Sequence, residues 1–542
     1  MKRPSRLALT TAAALLLVPL LACCGRIERL DVSSPWFELR EDQLGLFASY
    51  SGWDTRHQRR FSQLNIGPKA LQMIAEARSV ILVSVFLFDN FYAPQEPVWD
   101  VVEAVTLALL EKKRQDPDIV IAIILDPSNR AYDRRVAPAV QRLIDAGVDV
   151  FYSDLLTTRA HTPLGFVEAG HHFGRIASQA TSGALGWTFK SLNHAIRLPY
   201  MEPFDGAAIT LQMALNAALI KANHRKILAT DGPRGFAALV SSANPHNASV
   251  GSTNFAISVE GDLAKYIYDV QRSDIEQAIK LRDRDYVVWH TDASRDYRRH
   301  YLARTLPDFD RDQLQRTATT PGAARARFIT ENSIERAVIG MLDDVQPDDQ
   351  VRIQMFYLSD PHVLNALMRA AERVRTPVRL LLDPNKDAFG RVKDGTPNRQ
   401  VAALLMNRLQ GDELRRLRRL FPDHIVDGRL RALNLEVRWF DTHGEQNHAK
   451  IMSITNPATG KFALMNGSAN WTGKNLDNIN MEANLQVEAA PQLVAAFNQR
   501  FDLFYHNVEG QHFSVAYDHP VYSRHTGISR WINGERWGFV AW

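Results

Sequence analysis

A chain of 542 residues with 45% hydrophobic and 23% charged content is long enough for two or three domains and too apolar for a disordered polymer. A formal charge of +4 and a pI near 8.9 are mild, which argues against a dedicated nucleic-acid binder while leaving room for a local basic cleft. Both cysteines, Cys23 and Cys24, fall near the N-terminus, so the body carries neither a disulfide nor a thiol nucleophile.

Residues 1–25 read as a targeting segment, because Lys2, Arg3 and Arg6 precede an apolar run from Leu7 to Ala22 that is short for a membrane span. The run closes in "LLAC" with Cys23, which resembles the bacterial lipobox, whose cysteine is lipidated. The expectation is a membrane-anchored, periplasm-facing lipoprotein of the bacterial cell envelope. An uncleaved signal anchor is the competing reading. Residues 26–66 are a lead-in. A helical pattern over 67–78 then enters "SVILVSVFLFD" (79–89), whose apolar, β-branched content predicts a buried strand. An amphipathic helix over 99–115, the strand "IVIAIILDPSN" (119–129) and "GVDVFYSD" (147–154) follow. An insertion at about 155–220 contains the aromatic stretch "LGWTFKSLNHAIRLPYMEPF" (185–204), read either as a lid facing lipid or as padding on the core. "NHRKILATD" (223–231) comes next, and "SDIEQAIKLRDRDY" from Ser273 has a capping box at Ser273 and Glu276.

After linker composition in "RTATTPGAARA" (316–326), the order repeats. "SIERAVIGML" (333–342) leads to "QVRIQMFYLSD" (350–360), then a helix over 362–375, the strand "PVRLLLDPN" (377–385), "NLEVRWFD" (434–441) and "NHAKIMSIT" (447–455). The helix "APQLVAAFNQRF" closes this half, with Pro491 near its start. The predicted units are 67–305, a linker over 306–330, 331–508, and an aromatic tail over 509–542. Strands alternating with helices predict parallel strands joined by crossovers, hence two α/β lobes related by a pseudo-twofold.

On a strand, residues two apart share a face, so His224 and Lys226 project together, as do His448 and Lys450. An imidazole can attack an electrophile while an ammonium beside it holds an anion, and that pairing suits phosphate. Ser242 and Asn244 follow the first pair in "SSAN", and Ser468 and Asn470 follow the second in "GSAN", supplying neutral donors for phosphoryl oxygens. From Ser242 to Ala256 is 14 residues, and from Ser468 to Glu482 is also 14. No Gly-x-Ser-x-Gly elbow makes either serine a nucleophile. The pair His171 and His172 lacks a second cluster with metal-ligand spacing, so no metal and no cofactor is expected.

These residues resemble the phospholipase D superfamily, whose motif is His-x-Lys-(x)4-Asp followed by Gly-Ser-x-Asn. His224, Lys226 and Asp231 match the first copy, with Ser242 and Asn244 after them; His448, Lys450, Gly467, Ser468 and Asn470 match the second, where Thr455 stands at the Asp position. The resemblance spans about residues 67 to 505. It implies two phospholipase D-like α/β sandwich lobes, with mixed, largely parallel sheets flanked by helices, sharing one metal-free active site. One histidine forms a phosphohistidine and the other protonates the leaving alcohol, then activates water or an acceptor alcohol. Family precedent assigns His224 as nucleophile and His448 as acid/base. Glu482 is expected to orient His448 and equally allows the reverse order, while Glu260 or Asp262 is the candidate helper for His224. The implied substrate is a membrane phospholipid, with hydrolysis to phosphatidic acid or transfer as in cardiolipin synthases. A nuclease is the rival enzyme, which the mild charge disfavours; a non-catalytic lipid-binding scaffold is the third reading.

Overall fold

The computed structural model describes residues 31–89, 99–126, 129, 137–153, 197–198, 209–210, 222–247, 250–282, 324–384, 397–441, 443 and 445–522. Cys23, the His171–His172 pair and most of the long insertion lie outside them. The first sheet contains β1 (Leu44–Asp54), β2 (Arg59–Leu64), β3 (Val80–Val85), β4 (Val120–Leu125), β5 (Asp149–Tyr152), β6 (Lys226–Gly232), β7 (Gly235–Ser241) and β8 (Asn254–Glu260). The second contains β9 (Ala324–Thr330), β10 (Gln350–Met355), β11 (Val378–Leu382), β12 (Leu435–Phe440), β13 (Lys450–Asn456), β14 (Lys461–Gly467) and β15 (Ala483–Glu488).

Both sheets run in the same spatial order, β8-β7-β6-β3-β4-β5 in one and β15-β14-β13-β10-β11-β12 in the other, which is the duplication seen as architecture. Only β3/β4, β4/β5, β10/β11 and β11/β12 are parallel; the other pairings are antiparallel. The sheets are mixed as expected, but most of their pairings are antiparallel and not parallel. From β6 to β7 and from β13 to β14 the chain turns back through short connections rather than helical crossovers. Between β6 and β7 only Pro233 and Arg234 intervene, and Gly235 takes φ +94 in the turn, so the strands must run antiparallel.

The lead-in and the tail are not outside the lobes. Phe37–Leu39 pairs with β9 in the second sheet, β1 and β2 belong to the first sheet, Gln511–His512 pairs with β1, and Ser514–Ala516 pairs with β12. Linker residues Ala324–Thr330 are strand β9 itself. Each end of the chain thus stitches both sheets together.

Alternation along the strands divides the core into layers. Ile227 and Ala229 face inward with Phe255, Ile257, Ala449, Ile451, Leu464 and Leu485, so the two sheets share one apolar core with α4 (Asp262–Arg282) and α9 (Pro491–His506). Leu228 and Leu239 face the other way, against α1 (Ile66–Glu76), α2 (Val101–Gln115) and α3 (Pro138–Asp145). The second sheet's outer face is covered by α5 (Asn332–Asp343), α6 (Pro361–Arg373), α7 (Asn398–Leu405) and α8 (Asp412–Leu417). No helix among the described residues is long and apolar enough to cross a membrane.

Candidate active site

β6 and β13 begin at the lysines of the two motifs, so each histidine sits just before a strand, where backbone contacts cross to the opposite lobe. His224 donates its amide to the carbonyl of Met481 at 2.8 Å, and Thr253 donates to that of Gln446 at 2.8 Å. Bridges Asn223–Met481 and Thr253–Asn447 tie the start of each motif to the other half. The two motifs, one in each lobe, meet at one boundary.

The asparagines before the histidines hold these crossings. Asp126 accepts from the Asn223 amide at 2.7 Å, and Asp383 accepts from the Asn447 amide at 2.9 Å, which explains why both halves carry Leu-Asp-Pro. Asn129 and Asn398 repeat one another as well. Asn129 accepts from the Phe88 amide and donates to the Phe86 carbonyl, and Asn398 accepts from the Leu358 amide and donates to the Phe356 carbonyl. The rings so placed lie against the histidines, Phe86 5.2 Å from His224 and Phe356 4.9 Å from His448. Lys226 and Lys450 lie over the same rings at 5.4 and 5.0 Å. Each lysine also donates to the carbonyl of its own histidine, at 2.6 Å in the first lobe and 2.8 Å in the second.

The orienting partners come from across the boundary. His224 Nδ1 pairs with Glu482 at 2.9 and 3.1 Å, and His448 Nδ1 pairs with Asn254 Oδ1 at 2.9 Å. With the proton on Nδ1 in both, each Nε2 keeps its lone pair for chemistry. This corrects the expectation that Glu482 serves His448 and that Glu260 or Asp262 serves His224. The sheet register gives the reason: Ser242 receives its backbone contact from Phe255 and Ser468 from Ala483, so the counterpart of Glu482 is Asn254, twelve residues after its serine and not fourteen. The serines act on those partners. Ser468 Oγ donates to Glu482 Oε2 and accepts from the Ala483 amide at 3.0 Å, while Ser242 Oγ donates to Asn254 Oδ1 at 2.9 Å and accepts from the Phe255 amide at 3.1 Å. Asn244 Oδ1 accepts from the Leu87 amide at 3.2 Å. Asn470 is buried, with no partner for its Oδ1 among the described residues.

Asp231 stands apart. It lies at the far end of β6 from His224, accepting the amides of Arg78, Ser79 and Val80 and the Ser79 hydroxyl, so the structure makes it a brace for the turn into β3 and not a member of the cluster. In the second lobe Thr455 cannot do this, and Asp349 takes over from the turn itself by accepting from the Gln346 amide, Asn456 and Lys461.

Sequence reading missed a charged clamp on Glu482. Arg225, between the motif's His and Lys, is fully buried; its guanidinium meets Asp274 and Glu331 and donates to the Glu482 carbonyl at 3.3 Å. Glu331 in turn accepts from the Glu482 amide at 3.0 Å. Both backbone polar groups of the histidine's partner are therefore fixed by one buried ion pair, and Ala449 occupies the position of Arg225 in the other lobe.

Burial dominates the electrostatics. It pushes His224 down from 6.5 to about 4, against the pull of Glu482 and together with the nearby charges of Lys226 and Lys450. His448 falls well below its ordinary value, for burial first and then the charges of Lys450, Lys226 and His224. Burial also lowers Lys226 to about 7 and holds Lys450 well below the usual lysine range. Burial raises Glu482, but His224, Lys226 and Ser468 outweigh it and the carboxyl ends below its usual value. A further buried cation, Lys474, is lowered to about 7 by burial against the fields of Asp126 and Glu482. A buried cluster of basic groups is stabilised by an anion, and a phosphodiester supplies one.

Residues 339–504 match the family model described as "Cardiolipin synthase, PLD-like domain". The second lobe is a phospholipase D-like domain. The match includes His448, Lys450, Ser468, Asn470 and Glu482, and the first lobe carries the same residue pattern at His224, Lys226, Ser242 and Asn244. Phosphatidylserine synthase from Haemophilus influenzae Rd KW20 is similar at 11% identity over 93% of this chain and 92% of that one, with a TM-score of 0.49. Polyphosphate kinase from Porphyromonas gingivalis is similar at 12% identity over 82% of this chain and 47% of its own, TM-score 0.36. The phospholipase D family member Nuc from Salmonella typhimurium is 14% identical over 33% of this chain and 95% of its own, TM-score 0.23. No curated protein matches the sequence.

Proposed function

We propose that the protein is a phosphodiesterase or phosphatidyltransferase of phospholipase D type that acts on membrane phospholipids through a phosphohistidine. The observation that supports it is the pair of lobe-crossing imidazoles, His224 on Glu482 and His448 on Asn254, each two residues from a buried lysine. When the substrate's phosphate anion enters among the lysines, its charge favours protonation of His448 on Nε2; His224 Nε2 then attacks phosphorus, the bond from phosphorus to the head-group oxygen breaks, and the alcohol leaves with that proton. Water or an acceptor alcohol then loses its proton to His448 and displaces the phosphatidyl group from His224. The different partners favour this order. A carboxylate balances the positive charge of a phosphorylated imidazolium at His224, whereas the neutral amide of Asn254 leaves His448⁺ a stronger acid.

In this reading Lys226, Lys450, Asn244 and Asn470 hold the nonbridging oxygens as charge develops, and Ser242 and Ser468 work one step back by orienting Asn254 and Glu482. A lipid on Cys23 keeps the cleft beside the bilayer, on the periplasmic side of the bacterial envelope. The test is incubation of the full chain with labelled phosphatidylglycerol, phosphatidylethanolamine and single-stranded DNA, resolving products with and without an added alcohol. Release of phosphatidic acid, or of a transphosphatidylated lipid, is expected. Degradation of DNA with both lipids intact would replace this reading with a nuclease.

A further inference from the structure

Behind the catalytic face of the first lobe, between its sheet and helices α1 and α2, lies a cavity of about 100 Å³. Its walls are chiefly apolar, with Ile66, Val85, Trp99, Val105, Leu228 and Leu239 among them, yet it shares Lys226, Asn244 and Asn254 with the active site. It is a partly open, chiefly apolar pocket set into the packing between sheet and helices. The duplicated lobe supplies the comparison. There the residue after the motif asparagine is Trp471, with 1% of its surface exposed, packed with Leu476 at 0% in the core under α5 and α6. In the first lobe Pro245 follows Asn244, a much smaller side chain that lines the cavity.

We propose that this cavity is a subsite for part of a hydrocarbon chain of the substrate, entered by a molecule whose phosphate lies at Lys226 and Asn244. The proposal rests on the phosphodiesterase reading above and extends it to the apolar portion of the substrate. An apolar space that stays dry takes an alkyl group readily, and a wall shared with the ammonium of Lys226 fits an amphiphile joined to a phosphate better than a wholly apolar ligand. At this volume it accommodates a few methylenes, not a whole acyl chain.

Calorimetric binding of methyl, ethyl, propyl and butyl phosphate to the full chain tests this without requiring turnover. Each methylene that enters an apolar site contributes about fourfold in affinity, so butyl phosphate is expected to bind roughly sixtyfold tighter than methyl phosphate. Pro245→Trp, which copies the second lobe, and Ala70→Phe, which fills the cavity from α1, are each expected to compress that ratio to within about threefold. A flat series in the wild type, or a steep series that persists in both filled variants, overturns the proposal. A steep wild-type series together with no turnover of any phospholipid overturns the phospholipid reading and leaves an alkyl subsite in an enzyme for another phosphodiester.

Discussion

His224 and His448 carry the same imidazole ring in similar settings, and the partner of Nδ1 differs: Glu482 against one, Asn254 against the other. Replacing Glu482 with Gln keeps a hydrogen-bond acceptor and removes the balancing charge. The expected result is a fall in kcat on the order of 10²-fold or more, as for other carboxylates that hold a catalytic imidazole; a variant as active as the parent would contradict the assignment. Titration gives a second readout. The unfolded ring protonates near 6.5 and the folded one near 4, so between these values the unfolded chain binds the extra proton and stability rises with pH. One such proton contributes a slope of about 1.4 kcal/mol per pH unit. His224→Gln should flatten the wild-type curve by that amount in denaturant titrations across the window. The residue pairing itself was only half legible in the sequence. The His-x-Lys pairs and Ser-Ala-Asn stretches are local and could be read directly, but equal counts of fourteen pointed to Ala256, because β-ladder register and not spacing along the chain decides which side chains oppose.

Two elements show how the fold substitutes one device for another. The Asp that closes the first motif braces the turn before β3, and Asp349 does the same work in the second lobe from a different point in the chain. Asp231→Ala should therefore cost about 1–3 kcal/mol of stability by stranding several amides, while leaving kcat within about threefold of the parent; a loss of activity with stability intact would return Asp231 to the reacting groups. The clamp at β6 and β9 behaves differently. Arg225→Ala leaves Glu331 buried without its counter-charge, which is expected to destabilise by about 3–5 kcal/mol, and the double change Arg225→Met with Glu331→Leu should recover much of that loss. A double variant as unstable as the single one would show that the pair is not the unit described. Repeated strands and Leu-Asp-Pro were visible in sequence because they are local patterns. The partners of Arg225 were not, since Asp274 and Glu331 lie 49 and 106 residues away and carry no periodic signal.

At the scale of the whole molecule, two nine-stranded sheets are stitched by exchanged edge strands and share one core, so the lobes present a single rigid boundary at which cationic side chains converge. With burial holding Lys226 near 7 and Lys450 well below the usual lysine range, arrival of a phosphate anion restores their favourable charge, and binding near neutral pH should take up protons. Calorimetry of methyl phosphate in buffers of different ionisation enthalpy should show about one proton absorbed; buffer-independent heats would contradict the desolvated pocket. Lead-in and tail read as appendages in the sequence because short edge strands have no pattern long enough to register. The central claim is that two motifs make one site. It is tested most directly by measuring phospholipid turnover by wild type, His224→Ala and His448→Ala side by side at matched folded concentration. A single shared site predicts that either change alone lowers kcat by about 10³-fold or more, whereas retention of roughly half the activity by each variant would mean two lobes working separately and would contradict the account.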